Sequence, residues 1–159
     1  MNTRGLISIR GWKRNNRLKK HRPKVNVFNR QRKVSVEMKG LRNFLDQLSS
    51  QMTLQTGFSV VLVNDAAMKT YNRDFRGEDR ATDVLSFSYE EDDGEEKPYL
   101  GDILISVDAA ARQQRKTLLE ELQVLSLHGL LHLLGYDHQA DQGEMETLEG
   151  RLRRKFQIH

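Results

Sequence analysis

The chain has 159 residues, enough for one ordinary domain that buries a core around a single shaped site, and too few for two such domains. It contains no cysteine, which excludes disulfides and thiolate ligands and leaves histidine, carboxylate and backbone oxygen to hold any metal. The net charge of +4 conceals a division: residues 1–35 carry twelve Lys and Arg and no acid, whereas the remainder carries fourteen basic and 22 acidic residues.

A basic arm on an acidic domain suits a polyanionic partner, because Lys and Arg displace counterions from phosphate backbones. A solubilising tail accounts for residues 1–24 equally well. This stretch, MNTRGLISIRGWKRNNRLKKHRPK, has little periodicity and Pro23 closes it, so the boundary falls there. Residues 1–24 read as a flexible basic extension and 25–159 as a single domain. No run approaches the roughly 18 apolar residues of a membrane span, and the first 30 residues lack the apolar stretch of a secretory signal. The single serine in residues 1–24 argues against an organelle transit leader. The expectation is a cytoplasmic protein without a membrane partner.

VNVFNR (25–30) alternates apolar and polar residues as a half-buried strand does, and MKGLRNFLDQLSSQM then sets Leu41, Phe44, Leu45 and Leu48 on one helical face. FSVVLVND (58–65) is a β-branched apolar run and reads as a central strand. DAAMKTYNRDF follows as a helix, with Asn64 or Asp65 as its cap. VLSFSY (84–89) is a third strand, EEDDGEEKP (90–98) an acidic loop, and LGDILIS (100–106) a fourth strand returning antiparallel to the third. Residues 107–116 read as helical. LLEELQVLSLHGLLHLL (118–134) is apolar around most of its circumference, which predicts a helix buried at the centre of the fold. GEMETLEGRLRRKF at the end is amphipathic, with one face packed and one exposed.

The central helix runs into HGLLHLLGYDH (128–138), which holds three of the five histidines. At about 100° per residue, His128 and His132 lie about 40° apart on one face and about 6 Å apart along the axis, a separation one metal ion bridges. Gly135 stands where a helix needs a left-handed terminator, and ending there lets the chain turn so that His138 comes back to the same ion. Three imidazoles leave a position open for water, the arrangement of catalytic zinc, whose bound water becomes a usable nucleophile. Any one of these histidines alone is more simply a satisfied core residue; three at this spacing point to metal. Nickel, copper and iron also suit imidazole.

The spacing is that of the metzincin proteases, which place a glutamate base directly after the first histidine. Here that position is Gly129, and peptide hydrolysis loses its proton acceptor unless Asp83, Asp102 or Asp137 substitutes.

Together with FRGEDRATDVLSF (75–87) and LGDILIS (100–106), the histidine motif resembles the YbeY family of metal-dependent endoribonucleases, bacterial factors in ribosomal RNA maturation and ribosome quality control. The resemblance spans about residues 25–155, with the motifs in the family's order. It implies that His128, His132 and His138 bind one divalent ion, zinc first, and that Arg76 and His128 are catalytic, Arg76 lying in the active-site cleft. It further implies a single-stranded RNA substrate, a ribosomal RNA precursor cut towards the 3′ end of the small-subunit RNA, with the ribosome or its associated proteins as partners. The basic extension lies outside the family pattern.

Arg76, before Gly77 in a polar turn, can reach a phosphate bidentately; by sequence alone an ion pair with Glu78 or Asp79 is the commoner outcome. Asp83 and Asp102, at strand ends, can orient a ligand imidazole or simply bond local backbone. Asp137 adjoins His138, but neighbouring side chains often diverge. The acidic stretch and the terminal RLRRKF read as solvated surface. The whole is an α+β domain, a small mixed four-stranded sheet with packed helices around a central buried metal-binding helix. A metallopeptidase-like hydrolase and a non-catalytic, metal-stabilised ribosome-binding protein stand as rivals to the nuclease.

Overall fold

The computed structural model of the chain describes residues 6–9, 23–89, 99–137 and 139–159. Its strands are β1 (Leu6–Ile9), β2 (Val25–Asn29), β3 (Gly57–Val63), β4 (Val84–Tyr89) and β5 (Tyr99–Ser106). Its helices are α1 (Met38–Gln51), α2 (Asp65–Arg76), α3 (Val107–Gln113), α4 (Leu118–Leu133) and α5 (Glu144–Phe156). The strands form one sheet in the order β1-β4-β5-β3-β2. β4 is antiparallel to β5 and every other pairing is parallel, so the architecture is α+β with a mixed sheet.

Among the described residues the sheet has five strands, one more than the sequence predicts. The additional strand, β1, lies within the segment read as a flexible extension and pairs with β4, Leu6 opposite Ser86 and Ile9 opposite Tyr89. A four-residue strand offers too little alternation to be read locally, and its hydrogen-bonding partner is an edge supplied by residues far along the chain. The acidic stretch 90–98, expected as a loop, lies outside the described residues.

Alternation along the strands divides the core. Val60, Leu62, Ile103 and Ile105 face a cluster built with α1, α4 and α5. Val63, Leu85, Phe87 and Leu104 face α2 through Met68. A strand covered on both faces must be apolar at consecutive positions, which is why Val60–Val63 of β3 and Ile103–Ile105 of β5 are consecutive apolar residues. The predicted stripe of α1 is the packed one: Leu41, Phe44, Leu45 and Leu48 are all buried, each contributing about 1.5–3 kcal/mol by removal from water. Phe44 meets Phe156 edge-to-face at 5.3 Å and so fastens α1 to the end of α5.

The Asn64 side chain caps α2 by accepting the Ala67 N–H at 2.8 Å. Asp65 opens that helix and ties it to α3. Its carboxylate accepts from Ser106 Oγ and Arg112 Nη1, each at 2.6 Å, and its own N–H donates to Asp108 Oδ2 at 2.9 Å. The Arg112 guanidinium hydrogen-bonded to Asp65 holds its carboxyl below the usual aspartate range, against the opposing effect of partial burial.

Candidate metal centre

α4 is the central helix, and from Leu125 to Leu133 every residue on it is buried. A helix surrounded on all sides must be apolar all round, so the two histidines and the glycine in it each need a specific explanation. Gly129 lies against the sheet: a Cβ there would fall 2.5 Å from Ile103 Cγ2 and 3.1 Å from Ser86 Oγ. Its carbonyl accepts a hydrogen bond from Ser86 Oγ at 3.0 Å. The absence of a side chain is what lets helix and sheet approach this closely.

His128 and His132 present their rings to each other. Their Nε2 atoms are 3.1 Å apart, the ring centroids 4.8 Å apart with planes at 75°, and the residues are only 7% and 3% exposed. Two nitrogens held at about 2.0–2.1 Å from one tetrahedral ion stand roughly 3.3 Å apart, so this pair fits a shared divalent cation. Imidazole nitrogen is the donor type such cations take in a cysteine-free chain. His128 Nδ1 lies 3.2 Å from Glu149 Oε2 on α5, and Glu149 Oε1 is 3.9 Å from Arg153 Nη1.

α4 ends as the glycine predicts. Gly135 takes φ 92°, its N–H donates to His132 O at 3.0 Å, and the Tyr136 N–H donates to Leu131 O at 3.0 Å. This is the paired hydrogen bonding of a Schellman motif, and Tyr136 packs against the core that holds Leu131. His138, the expected third ligand, lies outside the described residues. Among the described residues no group of three His, Asp or Glu side chains forms a metal cage.

Arg76 is the last residue of α2 rather than part of the turn; Gly77 follows in the left-handed conformation at φ 70°. Of the two acids that the sequence offered to Arg76, Glu78 Oε2 meets Arg80 Nη2 at 2.9 Å and Asp79 lies 3.9 Å from Lys69 Nζ. Hydrogen bonding from Arg80, with a smaller contribution from the charge of Arg76, holds the Glu78 carboxyl below its usual range. The end of α2 is placed by Phe75, whose ring is 5.4 Å from Phe87. The backbone of Phe87 also abuts Gly101, where Leu133 of α4 approaches from the other side. The C-terminal ends of α2 and α4, through Phe75 and Leu133, therefore reach neighbouring sheet residues, Phe87 and Gly101.

The other carboxylates that the sequence offered make their own contacts. The Asp83 carboxylate accepts from Gln113 Nε2 at 3.1 Å. Asp102 accepts from the Tyr99 hydroxyl, and its register opposite Phe87 sets it on the α2 face of the sheet. Asp137 Oδ1 accepts the Gln139 N–H at 2.9 Å as a turn aspartate does. Glu149 sets its carboxylate against His128, and the sequence did not single it out. Its signal was present: Met145, Leu148 and Leu152 define the packed stripe of α5, and Glu149 sits within it.

Fold and site thus define an α+β protein with a histidine pair on a buried central helix. Residues 26–157 match the family model described as Endoribonuclease YbeY. A relative named Endoribonuclease YbeY from Solibacter usitatus is 40% identical over 119 residues, covering 73% of this chain and 77% of the relative. Another so named, from Thermodesulfovibrio yellowstonii, is 37% identical over 142 residues, 78% of this chain and 89% of the relative. The solution structure of TM1509 from Thermotoga maritima is similar with a TM-score of 0.55 at 26% identity, covering 84% of this chain and 92% of that one. The chain belongs to the endoribonuclease YbeY family.

Proposed function

We propose that the chain is a metal-dependent endoribonuclease that cleaves single-stranded RNA in the cytoplasm. Its substrate is a ribosomal RNA precursor, cut in maturation of the 3′ end of the small-subunit RNA, and it serves ribosome quality control in association with the ribosome or ribosome-bound proteins. The observation that carries the reading is the convergence of His128 and His132 Nε2, 3.1 Å apart, on a helix whose position 129 is closed by the sheet. His128, His132 and His138 hold the ion, zinc first. When bound, the metal supplies Lewis acidity for activating water and polarising a phosphoryl oxygen.

Arg76 binds the scissile phosphate through its planar fork and stabilises the charge that develops at phosphorus. The metzincin peptidases of this histidine spacing carry their carboxylate base at the position that Gly129 occupies here, and the packing of Gly129 against Ile103 leaves no room for one there. Among the described residues no helix is long and apolar enough to cross a membrane.

The test is cleavage of a defined single-stranded RNA by the wild type, His132→Ala and Arg76→Ala, with metal content measured on the same preparations. His132→Ala should lose both metal and cleavage, and Arg76→Ala should lose cleavage alone. Cleavage by His132→Ala in a preparation free of contaminating nuclease would sink the catalytic assignment. Ribosome binding that survives metal removal, with no cleavage by the wild type, would favour the non-catalytic reading. Product ends separate attack by water from attack by the RNA 2′-hydroxyl, the latter giving a cyclic phosphate.

A further inference from the structure

We propose that Glu149 is a positioning residue for His128: its carboxylate takes the Nδ1–H and thereby turns the Nε2 lone pair toward His132. The inference rests on the metal reading above and extends it to a residue on a different helix.

The geometry begins with burial. The Glu149 side chain is 16% exposed and that of His128 9%, and a carboxylate so far out of water must be matched by donors. Its Oε2 is 3.2 Å from His128 Nδ1, and its Oε1 faces Arg153 Nη1 at 3.9 Å, one turn along the same helix. An ionised carboxylate only accepts, so the ring nitrogen beside it carries the proton. A neutral imidazole has one N–H, and fixing it at Nδ1 leaves Nε2 as the bare donor that a cation requires.

Both elements are anchored. α4 is buried from Leu125 to Leu133, and α5 is held by Met145, by Leu152 and by the Phe156–Phe44 contact. The stripe position that Glu149 occupies on α5 would favour an aliphatic side chain on packing grounds alone. A plain structural ion pair between a charged His128 and Glu149 would account for the contact, and it makes opposite predictions for tautomer and metal affinity.

The experiment uses the full chain with Zn2+ itself as the probe, its affinity measured by chelator competition, and the ring nitrogens of the metal-free protein read by 15N NMR. Glu149→Ala should raise the Zn2+ dissociation constant about 10–100-fold and move the His128 proton from Nδ1 to Nε2. Glu149→Gln, whose amide oxygen still accepts the Nδ1–H, should keep the tautomer and weaken binding less, by about threefold to tenfold, because a neutral acceptor is weaker than a charged one. It also supplies the answer if the alanine variant does not fold. Affinity within twofold of wild type in these variants, while His132→Ala has lost Zn2+, overturns the role of Glu149 and leaves the metal reading standing. His132→Ala binding Zn2+ as tightly as wild type overturns the metal reading, and the role of Glu149 falls with it.

Discussion

Gly129 and Ile103 are packed so closely that a single methyl on the glycine would stand 2.5 Å from Ile103 Cγ2. Alanine is the better helix former by about 1 kcal/mol, yet forcing an atom into a filled core costs about 1–3 kcal/mol. Here the obstacle is a branched side chain inside the core, so the clash wins. Gly129→Ala should lower stability by up to about 2 kcal/mol, read by urea denaturation. An unchanged midpoint would mean that α4 slides from the sheet at no cost. Gly129→Glu, which restores the protease-like motif in sequence, should unfold the site instead of creating a peptidase.

Gly135 makes the complementary case. A Cβ there meets nothing within 4 Å, while the backbone stands at φ 92°. The penalty for alanine is conformational alone, about 1–2 kcal/mol for a left-handed residue with a side chain. Gly135→Ala should therefore lower Tm by a few degrees, and Gly135→Asn, which tolerates this region better, should lower it less. Equal losses for the two would argue that space, and not backbone strain, decides.

These two glycines show which features the sequence exposes. Gly135 was legible because helix termination is a local rule: a periodic apolar run, then a residue free to turn left-handed. For the same reason four strands, five helices and the Asn64 cap are where alternation and composition put them. Gly129 reads in sequence only as a missing carboxylate; the sheet atoms that require it belong to β4 and β5. β1 depends on an edge donated by β4. Glu149 is one of three acids on a charged helix, and only the docking of α5 on α4 makes it the neighbour of His128. What escaped the sequence is non-local pairing, since spacing along one segment carries no register with another.

The Asp65 network sets a pH dependence of stability. Its carboxyl is held below the ordinary aspartate value, first by the hydrogen bond from Arg112. A group whose folded value is depressed contributes stability above the unfolded value, about 3.9, and the contribution is lost as pH falls through the lower folded value. Asp65→Asn should therefore melt below the wild type at neutral pH, and the gap should narrow steadily in acid below about pH 4. A gap that is constant from neutral to strongly acid pH would show that hydrogen-bond geometry, and not charge, ties α2 to α3. High salt should shrink it modestly, because Arg112 is exposed.

Arg76 distinguishes charge from shape. Its guanidinium, at the end of α2, offers a planar fork that matches two phosphate oxygens, whereas lysine offers a point charge. If Arg76 stabilises charge developing at phosphorus, Arg76→Ala should lower kcat about 10²–10³-fold, the loss typical of removing one such donor. Zn2+ content should stay at the wild-type level, because the ion is assigned to the histidines. Arg76→Lys should recover only a small part of kcat while restoring most of the RNA affinity, since attraction to phosphate survives and the two-pronged geometry does not. Single-turnover cleavage with saturating enzyme reads the first effect, and equilibrium binding to an uncleavable RNA reads the second. Full recovery of kcat by lysine would reduce Arg76 to an electrostatic anchor, and loss of Zn2+ with either substitution would make it a structural support of the histidine helix.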